Sequence, residues 1–124
     1  MKRLRSTPAL ALGSVAAILL VAGAARSSAA RVQEPREVSV TGNQFAFSPA
    51  RIEVQKDDLV KITFTASDMP HSFTIEKYRI AKRAGAGQSV TFEFRADQPG
   101  EHVFYCNLSQ DERCRNMRGT LVVR

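Results

Sequence analysis

Residues 105–120 read Tyr-Cys-Asn-Leu-Ser-Gln-Asp-Glu-Arg-Cys-Arg-Asn-Met-Arg-Gly-Thr, and the rest of the chain is best read outward from them. The stretch holds both cysteines, Cys106 and Cys114, and one of the three methionines, Met117. It lies between two apolar runs of strand type, His102 to Cys106 and Thr120 to Val123. Soft sulfur donors gathered in one loop at the end of a small sheet point to copper. His71, far upstream, is the natural fourth donor.

Upstream of the loop the pattern is alternation, not helical periodicity. Val60, Ile62 and Phe64 alternate with Lys61, Thr63 and Thr65, which predicts a half-buried strand. Val38 with Val40, Phe45 with Phe47, Ile52 with Val54, and Val90 with Phe92 and Phe94 read the same way. His71, Phe73 and Ile75 share one face of a further strand, as do His102, Phe104 and Cys106. Gly42-Asn43, Ser48-Pro49, Lys56-Asp57-Asp58 and Gln98-Pro99-Gly100 break the runs. Glu76 to Gly87 is polar and basic and reads as a longer surface connection. Short strands at this spacing predict an all-β domain, an antiparallel sandwich or barrel.

The N-terminus is of another kind. Lys2, Arg3 and Arg5 precede an uncharged run of 17 residues, Ala9 to Ala25, and Ser28-Ala29-Ala30 follows. This is the pattern of a signal peptide cut after Ala30. The alternative is an uncleaved membrane anchor, for which the run is short against a span of about 20 residues. Either way the domain is exported, to a periplasmic or other extracytoplasmic space. Residues 31–36 read as a linker and residues 37–124 as one domain. Residues 31–124 carry 14 Lys and Arg against 12 Asp and Glu, a net charge of +2, where the whole chain has +6. The basic balance belongs largely to the leader, so a nucleic-acid partner is not indicated. Lys77, Arg79, Lys82 and Arg83, with Arg113, Arg115 and Arg118 around the loop, read as a solvated face, or as a dock for an acidic partner. No Ser-His-Asp order, paired carboxylates or phosphate loop is present, so the chain is not read as an enzyme.

Several stretches carry a resemblance to the cupredoxins. They are Asn43-Gln44-Phe45-Ala46-Phe47-Ser48-Pro49, Met69-Pro70-His71-Ser72-Phe73, Ala96-Asp97-Gln98-Pro99-Gly100, Phe104-Tyr105-Cys106 and Met117-Arg118-Gly119-Thr120-Leu121. In particular the chain resembles the copper domain of cytochrome c oxidase subunit II. The resemblance implies a Greek-key β-sandwich, copper binding and one-electron transfer. In the oxidase domain the loop runs Cys-x-x-x-Cys-x-x-x-His-x-x-Met, the same length as Cys106 to Met117. Laid over it, Gln110 stands where a second bridging thiolate belongs and Cys114 where an imidazole belongs. A dinuclear centre is therefore not expected. The two-imidazole, one-thiolate set of a blue copper site is incomplete as well.

His102 does not fill the gap. It lies four residues before Cys106 on one strand, roughly 13 Å away at about 3.3 Å per residue, so it reads as packing. The candidate ligands are His71, Cys106, Cys114 and Met117. In one reading Cys114 replaces the missing imidazole and the site holds a single copper ion, with a set that favours Cu(I) and copper handling. In the other, Cys106 and Cys114 form a disulfide in an oxidising compartment, and a metal-free domain serves interaction or assembly. The expected partner is a redox or copper-handling protein and the expected state a monomer.

Overall fold

The computed structural model describes residues 33–124 apart from 109 and 110, together with residues 3, 13, 14, 16–18 and 23. Residues 1–30, read above as a signal peptide, lie outside the described residues but for those seven. By internal contacts the chain divides into residues 1–31 and 32–124, and every strand below belongs to the second unit. Among the described residues no helix is long and apolar enough to cross a membrane.

Among the described residues nine strands form two sheets. They are β1 (Arg36–Asn43), β2 (Ala46–Ser48), β3 (Arg51–Val54), β4 (Leu59–Ala66) and β5 (His71–Ile75), followed by β6 (Ile80–Ala84), β7 (Ser89–Arg95), β8 (Gly100–Tyr105) and β9 (Arg118–Val123). The four-stranded sheet has the order β2-β1-β4-β7 and the five-stranded sheet β3-β9-β8-β5-β6. This is the expected all-β sandwich. β1 begins at Arg36, the last residue of the stretch read as linker. One helical turn, α1 (Glu112–Arg115), interrupts the sulfur loop.

Two expectations need correction. The sheets are mixed, since β1 runs parallel to β4 and β3 parallel to β9. Alternation marks which face of a strand is buried and says nothing about the direction of its neighbour. The stretch 76–87 is not a plain connection: after a short 3₁₀ turn, Glu76–Tyr78, it forms β6 on the edge of the five-stranded sheet, paired with β5. In β6 only Ile80 and Ala84, at its two ends, are buried, so it offers no alternation to read.

The core is built where the two inner faces meet. In β4 the side chains of Val60, Ile62, Phe64 and Ala66 are fully buried, alternating with half-buried neighbours. Each large one contributes about 1.5–3 kcal/mol by leaving water. Phe73 of β5 is the hub. It stacks on Phe104 at 4.7 Å between ring centroids and meets Phe47, Phe64 and Phe92 at 5.7–5.9 Å. These rings come from both sheets, so Phe73 joins the layers immediately beside the start of β5. The fit is close at Gly119 too, where a Cβ would collide with the Phe104 ring and lie 2.7 Å from the Ala50 carbonyl oxygen.

Candidate metal centre

The pairing of β5 with β8, registered at Thr74 opposite Tyr105, brings the start of one strand beside the end of the other. His71 therefore opens β5 next to Cys106, which follows β8. The Ser72 N–H donates to Cys106 Sγ at 3.4 Å. The Ser72 hydroxyl donates to Asn107 Oδ1 at 2.6 Å and accepts from the Asn107 N–H at 2.7 Å, so the two strand ends are locked by side chain as well as backbone.

The sulfur loop closes on itself. The Cys106 N–H donates to the Met117 carbonyl at 3.3 Å, and the Met117 N–H donates to the Cys114 carbonyl at 3.0 Å. Asp111 caps α1 by accepting the Arg113 N–H at 2.9 Å, and this turn presents Cys114 inward. Cys106 and Cys114 are joined in a disulfide with their Cα atoms 5.2 Å apart, an ordinary bridging distance. Cys106, Cys114 and Met117 are all buried.

His71 is fully buried, and its two ring nitrogens are treated differently. Nε2 lies 2.8 Å from Asp68 Oδ1. The other Asp68 oxygen accepts the Gln44 N–H at 2.9 Å, and Oδ1 also accepts the Met69 N–H at 2.9 Å. The Gln44 N–H foremost, then the His71 ring, lowers the Asp68 carboxyl from 3.8 to about 2. An ionised carboxylate only accepts, so the proton of a neutral His71 ring sits on Nε2 and Nδ1 keeps a lone pair. That Nδ1 is buried and has no hydrogen-bond partner. A buried polar atom without a partner is costly and asks for an explanation.

Phe45 and Gln44 complete the surround. They form the two-residue turn between β1 and β2, and both have positive φ, 63° and 46°. Such turns favour Asn-Gly, and non-glycine residues held there carry strain that clusters at functional sites. Here the turn sets the Phe45 ring edge-on to His71 at 5.8 Å, and the Arg113 guanidinium lies 4.3 Å from the same ring. Asp111 pairs with Arg113 at 2.9 Å.

Of the predicted ligands, then, two are bonded to each other, Met117 is hydrogen-bonded through its backbone to both, and His71 stands beside them with Nδ1 unpartnered. Among the described residues no group of three or more His, Cys, Asp or Glu side chains converges as a metal cluster. The bridged state offers no thiolate, so the donors suit copper only when the bridge is open. His102 packs as expected: Nε2 is 2.8 Å from the Gln98 carbonyl oxygen, and the ring meets Tyr78 edge-on. Gln110 lies outside the described residues. Asp68, Phe45 and Arg113 were not singled out for the site from sequence. Only Asp68, three residues before His71, had a signal to find, a carboxylate in reach of an imidazole.

The Asp68 shift sets a pH dependence. A carboxyl lowered on folding contributes stability in full above its unfolded value of 3.8, and this is lost as pH falls through about 2. Thermal melts in that acid range should show wild type losing stability that Asp68→Asn no longer has to lose. Parallel acid profiles for the two proteins would count against the contact.

The chain is a member of the cupredoxin-like domain family, whose model matches residues 14–123. Among curated proteins it is similar to cytochrome c oxidase subunit 2 of Thermus thermophilus, 30% identical over 87 residues, which are 70% of this chain and 64% of that protein. A second subunit 2 sequence of the same species matches at the same identity over 52% of its length. The chain thus spans between about half and two thirds of these relatives. Among solved structures it is similar to the Cu(I)-bound metal-binding domain of a Cu(I)-exporting P-type ATPase of Streptococcus pneumoniae D39. That match has a TM-score of 0.61 and 20% identity, over 71% of this chain and 84% of that one. It is also similar to auracyanin A, a blue copper protein of Chloroflexus aurantiacus, with a TM-score of 0.63 and 16% identity, over 73% of this chain and all of the other. At these identities the two structures speak for the fold alone.

Proposed function

We propose that this is an exported copper-binding protein whose single-ion site is formed by His71, Cys106, Cys114 and Met117 when the disulfide is open. The observation that carries the reading is the buried, unpartnered Nδ1 of His71, held in place by Asp68 beside the sulfur loop. Asp68 fixes the tautomer and the ring plane, as a carboxylate behind a metal-bound imidazole does. Phe45 packs edge-on against His71, and the backbone bonds of Met117 hold both cysteines at one end of the sandwich. Copper bound there would supply one-electron chemistry or soft-metal carriage, and the two thiolates and thioether favour Cu(I). Copper handling is thus the preferred role, with electron transfer as the family's other use of the fold.

In this reading residues 1–30 are the export signal, residues 37–124 the functional domain, and a redox or copper-handling protein the partner. The role is not enzymatic, and the domain works as a monomer. A retained leader would tether it to the membrane.

The test is a Cu(I) titration of chemically reduced protein against a competing chelator. One tightly held ion per chain, lost in His71→Ala, is the expected result. No uptake by reduced, folded protein would sink the reading. It would favour instead the metal-free interaction module, for which the Cys106–Cys114 bridge is the supporting observation.

A further inference from the structure

The two sulfurs of the bridge have different surroundings. Cys114 lines a cleft of about 530 Å³ whose walls include Phe45, Met69, Pro70, Leu108 and Arg83; Cys106 does not line it. Cys106 is fully buried, with the Ser72 N–H on its Sγ at 3.4 Å and the Ser72 hydroxyl 3.7 Å away. Thiol–disulfide exchange requires a thiolate to reach one sulfur, while the other leaves as an anion. Both cysteines are buried, Cys114 at 2% exposure, but the cleft reaches the Cys114 side of the bridge alone, and the Ser72 donors lie on the Cys106 side.

We propose that the cleft is a thiol-exchange site, at which an exported dithiol opens the bridge by attacking Cys114 and expelling Cys106. The attacking thiolate forms a new S–S bond to Cys114 Sγ, the Cys106–Cys114 bond breaks, and its electron pair stays on Cys106 Sγ. The Ser72 N–H meets that charge, and the Ser72 hydroxyl can turn to it from Asn107. The dithiol's second sulfur then attacks its own partner sulfur in the mixed disulfide and releases Cys114. Two electrons and two protons pass to the protein, and the dithiol leaves as a disulfide. Arg83 on the cleft wall attracts the anionic attacker, while Asp111, also on the wall, is paired with Arg113.

The proposal rests on the copper reading only for its consequence, the return of both thiolates beside His71. Exchange and copper uptake are measured apart. The bridged full chain is mixed with limiting glutathione, quenched in acid and mapped by peptide mass. The adduct is expected on Cys114, about ten-fold or more over Cys106, given the dependence of exchange on access and on the leaving thiolate. An equal split, or an adduct chiefly on Cys106, would overturn the assignment. A second measurement follows bridge opening by dithiothreitol in Leu108→Trp, which narrows the cleft. Opening should slow by about ten-fold with the far-ultraviolet spectrum unchanged, and an unchanged rate counts against the site. Cu(I) uptake by fully reduced protein bypasses exchange, so it can fail or succeed on its own.

Discussion

Cys114→His is expected to give a protein that takes up Cu(II) and develops an intense visible sulfur-to-copper absorption that bridged wild type lacks. The substitution does two things at once. It frees Cys106 from the bridge, and it sets an imidazole where an ordinary blue copper loop has one, completing a two-His, one-Cys, one-Met set. Position 114 is suited to it: its Cα lies 5.2 Å from that of Cys106, and it sits on one helical turn whose neighbours Arg113 and Arg115 are exposed. Position 114 also lines a cleft of about 530 Å³, which gives the larger ring room. Losing the cross-link should cost about 2–3 kcal/mol, by the chain-entropy estimate for so short a loop. Cys114→Ser is the control, since it frees the same thiol without adding an imidazole. Equimolar Cu(II) followed by absorption decides the matter. A folded, colourless Cys114→His protein would mean that the frame no longer converges on one ion.

Phe73→Ala should be the most damaging single core change, at about 3–5 kcal/mol. Its ring touches Phe47, Phe64, Phe92 and Phe104, which belong to β2, β4, β7 and β8. Truncation leaves a void among these rings that cannot close without moving both sheets. Against a typical domain stability of about 5–15 kcal/mol, that is at least about a fifth of the total. Urea denaturation should show the midpoint fall while the slope stays that of a cooperative unfolding. A loss near 1 kcal/mol would mean that the sheets collapse onto the gap more readily than close packing allows.

What could be read from the sequence follows from which forces leave a local trace. Burial on one face of a strand does, so β4 could be drawn from Val60, Ile62 and Phe64 alone, and the sandwich from a handful of such runs. The adjacency of His71 and Cys106 also followed, because it needs only that β5 and β8 pair. The parallel pairings left no trace, since β1 with β4 and β3 with β9 are chosen by topology far along the chain. β6 was hidden because its three middle residues are exposed and carry no alternation. The surround of His71 was hidden for another reason. Phe45 reaches the imidazole only because two non-glycine residues take positive φ in a tight turn, and the residues themselves argue against such a turn. Nor could residue type alone choose between a bridge and two thiolates at Cys106 and Cys114, because the same convergence serves both.

β9, the latest strand in chain order, lies inside its sheet, between β3 and β8. Until residues 118–123 are delivered, β3 has no partner in that sheet and the β8-β5-β6 portion ends in an unsatisfied edge. A chain synthesised N-terminus first thus cannot complete the five-stranded layer before residues 118–123 are made. Cys114 reaches Cys106 on the same late event, through the loop that β9 anchors at Met117. Bridge formation in a nascent-chain or pulse-chase experiment would therefore time the closing of the sheet.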